Sequence, residues 1–142
     1  MTVKENAHHM QLPGQVVIGP NVVELLGEVA KQVVDTRRVI LITDKDVYRI
    51  VGERALNALI DDKFEVEILK ITGATLEAVE EAQKVIHEQK AGLIVGCGGG
   101  SVIDTAKLSS ARESRPFISV PTIASHDGLS SPRASIKQKG KS

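Results

Sequence analysis

The chain has 142 residues, with 18 Lys plus Arg set against 18 Asp plus Glu and a formal net charge of zero. Hydrophobic residues at 42% and charged residues at 25% describe an ordinary globular protein, while balanced charge and 2% aromatics exclude a generic nucleic-acid binder, an anionic-membrane binder and a base-stacking platform. One cysteine excludes a disulfide framework and a multi-cysteine metal site, and no apolar run approaches the roughly 20 residues that cross a bilayer, so a soluble, cytoplasmic domain is expected.

Residues 1–14 read as a flexible, polar N-terminal arm that carries the adjacent His8 and His9, whose side chains diverge. A short strand is expected over Gln15-Val16-Val17-Ile18, stopped by Gly19-Pro20. Val22, Leu25, Leu26, Val29 and Val33 then recur at helical spacing, with Pro20 placed where its missing N–H costs little. The run Val39-Ile40-Leu41-Ile42, closed by Thr43-Asp44, predicts a strand buried on both faces, as in a parallel sheet. A helix from Lys45 or Asp46 to Ile60 follows, with Val47, Ile50, Val51 and Leu59 among its apolar positions. Phe64 to Ile71 alternates at first, as a strand with one less buried face does.

Thr75 can cap the next helix, whose first turns carry Glu77, Glu80 and Glu81 and whose inward stripe is Leu76, Val79, Ala82 and Ile86. His87 follows near its end, suited to an exposed place beside the helix dipole. A second fully buried strand, Gly92 to Gly96, runs into Cys97-Gly98-Gly99-Gly100, and Ser101 to Ser110 reads as a helix. Phe117-Ile118-Ser119-Val120 is a last strand ending at Pro121. Strands alternating with helices predict an α/β fold, a Rossmann-like, mostly parallel sheet with helices on both faces, over residues 15–121. Residues 122–142 change character, rich in Ser, Gly, Pro and Lys, and read as a substrate loop and the start of a link to something further.

The sharpest feature is the turn Gly96-Cys97-Gly98-Gly99-Gly100-Ser101 between a buried strand and a helix. Glycines remove every Cβ and permit positive φ, so a phosphate can approach the backbone and meet the N–H groups that open the helix. Ser101 takes the third glycine place of G-x-G-x-x-G, and the turn follows the fourth strand, which disfavours a standard Rossmann dehydrogenase. Asp44, at the end of an earlier buried strand, can accept ribose hydroxyls or cap the following helix. Asp104, three residues past Ser101, can close the helix start as a capping box or orient the turn's hydroxyl. Cys97 has no neighbouring His to generate a thiolate. Beyond the last strand, Thr122 to Gly128 and Ser130 to Arg133 crowd hydroxyls, an imidazole, a carboxylate and a guanidinium into one loop, either a polar surface or a site for a polyhydroxy or phosphorylated small molecule.

Gly98-Gly99-Gly100-Ser101-Val102-Ile103-Asp104, together with Pro121-Thr122-Ile123-Ala124-Ser125-His126-Asp127-Gly128 and Ser131-Pro132-Arg133-Ala134-Ser135-Ile136-Lys137, resembles the sn-glycerol-1-phosphate dehydrogenases. These belong with the dehydroquinate synthases, glycerol dehydrogenases and iron-containing alcohol dehydrogenases. The resemblance implies reduction of dihydroxyacetone phosphate by NADH or NADPH to sn-glycerol 1-phosphate, the backbone of archaeal ether lipids. It implies that Gly99, Gly100, Ser101, Val102, Ile103 and Asp104 lie at the cofactor diphosphate, with Asp44 near the adenosine ribose. Thr122, Ile123, Ala124, Ser125 and Ser131 would line the nicotinamide side, and Asp127 would touch substrate. Complete members carry a helical C-terminal domain whose Asp and two His hold zinc. No residue here maps to those ligands, so the chain is expected to be the cofactor-binding half, inactive alone, with no metal ligand or catalytic residue of its own. Lys45 beside Asp44 can accommodate a 2′-phosphate, which leaves NAD and NADP both open. Glycerol (polyol) dehydrogenase and a stand-alone nucleotide-binding module are the alternatives. Expected partners are a phosphorylated triose or glycerol and a second copy of the chain, with no nucleic acid and no stable membrane insertion.

Overall fold

A computed structural model of the chain describes residues 16–122. Its five strands are β1 (Val16–Val17), β2 (Arg38–Thr43), β3 (Glu65–Lys70), β4 (Leu93–Gly98) and β5 (Phe117–Pro121). They form one sheet in the order β1-β5-β4-β2-β3, with every pairing parallel. The helices are α1 (Leu26–Val33), α2 (Lys45–Val47), α3 (Glu53–Asp61), α4 (Leu76–Gln89) and α5 (Gly100–Arg112). A 3₁₀ segment, Pro20–Leu25, leads into α1, and a π turn, Tyr48–Gly52, joins α2 to α3.

Alternation along the strands divides the core in two, because successive side chains leave opposite faces of a sheet. Val39 and Leu41 of β2, Val95 of β4 and Ile118 of β5 pack with Leu26, Ala30, Ala55 and Leu59 from α1 and α3. Ile40 and Ile42 of β2 and Ile94 of β4 pack with Ala82 and Ile86 of α4 and Val102 and Ala106 of α5. The two central strands are therefore buried on both sides, as their unbroken apolar runs require. β3 is an outer strand with exposed Glu65, Glu67 and Lys70, and β1 closes the other side with two residues. Among the described residues no helix is long and apolar enough to cross a membrane.

Three details depart from the sequence reading. Val22 and Leu25 are exposed, while Val23, Leu26 and Ala30 face inward. The cause is local: Pro20–Leu25 is 3₁₀, broken by non-helical angles at Val22, so the inward phase is not that of an α-helix. Ile50 lies 70% exposed because the π turn, with its wider winding, rotates it out and leaves Val51 in the core. Leu76, the first residue of α4, is 57% exposed, and the buried stripe is Val79, Ala82 and Ile86.

The seat of α5 on β4 depends on two missing side chains. A Cβ on Gly96 would stand 2.7 Å from Cβ of Ala106, and one on Gly98 would stand 2.8 Å from Cβ of Val102. Helix and strand meet there at backbone distance. Gly98→Ala should therefore lower stability by about 1–3 kcal/mol, the usual cost of overpacking. The reading is a lower urea midpoint at unchanged slope, and an unaltered midpoint would show α5 free to lift from the strand.

Candidate functional site

The sheet order brings the sequence-predicted groups together. β2 leaves toward α3 on one face, whereas β4 leaves toward α5 on the other, and these two strands are neighbours. The chain thus diverges at the carboxyl ends of β2 and β4, which makes that crevice the topological switch point where α/β sheets take ligands. Ile42 pairs with Gly96, so Asp44 and Gly98 stand two residues further along adjacent strands. Carrying the glycine turn on the fourth strand does not remove it from the crevice, because β4 borders the crevice as directly as β2.

Three helices begin at this rim, and two supply their own caps. Asp44 accepts a hydrogen bond from Val47 N–H at 2.8 Å through Oδ1, and Thr75 accepts one from Ala78 N–H at 3.0 Å. α5 has Gly99 as its N-cap, with no side-chain cap hydrogen bond among the described residues and no acid in its first turn. Its opening donors are the N–H groups of Gly100, Ser101 and Val102, since Ile103 N–H already donates to the Gly99 carbonyl at 2.9 Å. Unsatisfied donors and the positive end of the dipole point toward the same place, suited to an anion.

The glycines divide their work in a way that sequence did not separate. Gly96 and Gly98 make room for α5, whereas a Cβ built on Gly99 would meet nothing within 4 Å among the described residues. Among the described residues no glycine has a positive φ, and Gly99 is extended at φ −81°, ψ −166°. The expected left-handed conformations are absent, and what glycine provides at position 99 is open approach to the backbone. The capping box also fails: with Gly99 as N-cap, the third helical residue is Val102, so Ser101 and Asp104 are not its two ends. Val102 is buried against Gly98 and offers its backbone alone, while Ser101, Ile103 and Asp104 are half-buried on α5.

Thr122 follows β5 and donates its N–H to the Gly98 carbonyl at 2.9 Å, which sets it beside the turn. Its hydroxyl is buried with no hydrogen-bond partner among the described residues. Such an orphan hydroxyl is costly to leave unpaired and marks a place for a ligand's polar group. Cys97 is fully buried, and burial, followed by the negative charge of Asp44, pushes its thiol up to about 12. It stays protonated at neutral pH, where a thiol is a weak nucleophile. Asp44 both caps α2 and borders the crevice, so the two sequence readings of it are compatible.

An open backbone at Gly99, uncapped donors on α5 and an orphan hydroxyl at Thr122 fit a dinucleotide's diphosphate and polar groups. Metal is different: among the described residues no group of three or more His, Cys, Asp or Glu side chains could hold an ion. These residues do not fit the zinc site that the resemblance implies. Ile123, Ala124, Ser125, Asp127 and Ser131 lie outside the described residues. Sequence reasoning missed Tyr48 and Lys70, which meet at this rim from separate elements, with the Lys70 ammonium 4.3 Å from the Tyr48 ring centre. No local signal announces such a pair.

The chain is 39% identical over 139 residues to the glycerol-1-phosphate dehydrogenase (NAD(P)+) of Methanosarcina barkeri, covering 98% of this chain and 39% of that protein. It is 41% identical over 139 residues to the protein of the same name from Thermococcus kodakarensis, covering 97% of this chain and 39% of that one. The chain thus spans about two fifths of the length of these curated relatives. In structure it is similar to the NADH-dependent butanol dehydrogenase A of Thermotoga maritima, with a TM-score of 0.69, 21% identity, and coverage of 78% of this chain and 33% of that one, a likeness of fold. The sequence model of the iron-containing alcohol dehydrogenases matches residues 17–142. The chain belongs to the iron-containing alcohol dehydrogenase family.

Proposed function

We propose that residues 15–121 form the coenzyme-binding part of an NAD(P)-dependent dehydrogenase that reduces dihydroxyacetone phosphate to sn-glycerol 1-phosphate. The observation that carries the reading is the open, uncapped turn at Gly99, seated at the switch point of a chain whose relatives bear that enzyme's name. Gly100, Ser101 and Val102 hold the diphosphate through backbone N–H groups, with Gly99 giving the approach and Ile103 and Asp104 beside it. Asp44 receives the adenosine ribose hydroxyls on Oδ2 while Oδ1 keeps its helix cap. Thr122, Ile123, Ala124, Ser125 and Ser131 line the nicotinamide side, and Asp127 orients the phosphorylated triose. Held there, a reduced nicotinamide would supply the hydride for the substrate's C2 carbonyl, with a proton from solvent completing the alcohol. Zinc, in the complete enzyme, is held by residues outside those described. The product serves ether-lipid synthesis in the cytoplasm, and the enzyme self-associates there.

Gly99→Val should leave the fold intact, since no described residue lies within 4 Å of its Cβ, yet fill the space proposed for the diphosphate. NADH affinity, followed by coenzyme fluorescence, should fall at least about tenfold, equivalent to 1.4 kcal/mol, and an unchanged affinity would remove the turn from the site. Asp44→Asn keeps a competent cap but loses the charge. NADH binding should weaken by about 1 kcal/mol, near fivefold, the scale of one hydrogen bond; equal binding by both proteins would place the ribose elsewhere. With dihydroxyacetone phosphate and NADH, the 142-residue chain should bind coenzyme without turnover. Sustained NADH oxidation in the absorbance assay would show that the chain contains the reaction machinery.

A further inference from the structure

We propose that Lys70, held on the ring of Tyr48, is the group that accepts the 2′-phosphate of an adenine dinucleotide and so decides how well this chain takes NADPH beside NADH. The proposal rests on the reading of the crevice as a dinucleotide site and adds to it the residue that distinguishes the two coenzymes.

Four observations place the pair at the ribose end. Lys70 is the last residue of β3 and pairs with Thr43, the residue before Asp44. Ile71 N–H donates to the Thr43 carbonyl at 2.8 Å, which keeps the ends of β2 and β3 together past Lys70. Tyr48 N–H donates to the Asp44 carbonyl at 2.9 Å, tying the ring-bearing residue to the same strand end. The Tyr48 side chain also lies across Gly52, where an added Cβ would stand 2.9 Å from ring carbon Cδ1, so the π turn holds the ring in place.

The charge pattern gives this pair a purpose. A cation over an aromatic face is attracted by the ring's quadrupole and gives up less of its freedom when it meets an anion. Among the described residues Lys70 has no carboxylate in an ion pair, whereas Arg49 is paired with Asp46 and Arg54 with Glu24. Asp44 alone favours a ribose 2′-hydroxyl and repels a 2′-phosphate, because like charges at short range are unfavourable. An ammonium one strand away offsets that repulsion and leaves both coenzymes acceptable. Lys45, the other lysine at this rim, is exposed at the start of α2 and has no such ring beneath it.

The test titrates NADPH and NADH against the full chain and against Lys70→Gln, Lys70→Arg, Tyr48→Leu and Lys45→Gln. Lys70→Gln should weaken NADPH about tenfold, the scale of one charge-assisted hydrogen bond, and leave NADH unchanged. Lys70→Arg should restore NADPH, and Tyr48→Leu should lose part of it. Added salt should lower the NADPH to NADH affinity ratio in the unsubstituted chain relative to Lys70→Gln, in which only the repulsion by Asp44 is left to screen. Equal losses for both coenzymes, an unaltered NADPH affinity, or a loss found in Lys45→Gln instead would overturn the assignment while NADH binding upholds the crevice. If the unsubstituted chain binds neither coenzyme, the crevice reading falls and this assignment falls with it.

Discussion

The contact between α5 and β4 sets the geometry of everything at the crevice. Because Gly96 and Gly98 carry no side chains, the helix settles directly on the strand, and its first N–H groups emerge at the sheet's edge with no side chain above them. A bulkier residue at either place would tilt the helix and aim those donors away. Close packing of the helix and the presentation of its first N–H groups at the crevice are thus one arrangement seen from two sides. The buried thiol at Cys97 belongs to the same economy of space, since it fills the opposite face of β4 as a small apolar group.

Much of this was legible from residues alone, and for physical reasons. Val39–Ile42 and Leu93–Val95 announce central strands because burial on both faces demands unbroken apolar runs. Asp44 and Thr75 announce helix starts because a short side-chain oxygen satisfies a backbone donor that water would otherwise reach. The alternation of β3 announces a strand with one less buried face, while its place at the border of the sheet comes from the strand order. Where helix winding changed, legibility ended. The 3₁₀ segment shifted the inward phase to Val23 and Leu26, and the π turn expelled Ile50. Periodicity of 3.6 cannot anticipate either change.

The site was legible as a motif but not as a division of labour. Which of Gly96, Gly98 and Gly99 makes room for a helix, and which opens the backbone, depends on what each glycine faces across the fold. The meeting of Lys70 with Tyr48 likewise arises from strand register and a turn type, neither of which is written locally. Topology explains the unusual place of the glycine motif. Strand order makes β2 and β4 the pair at which the chain diverges, so a motif on the fourth strand reaches the crevice that a first-strand motif reaches in the simpler wound sheet.

The outermost strand β3 presents Glu65, Glu67 and Lys70 along its exposed positions. A row of unpaired backbone groups at such a margin invites another chain to extend the sheet, and charges there make that extension costly. The margin of the sheet at β3 is therefore protected against strand addition. Lys70 belongs to this row of charges, and replacing it with an apolar residue would weaken the protection against strand addition.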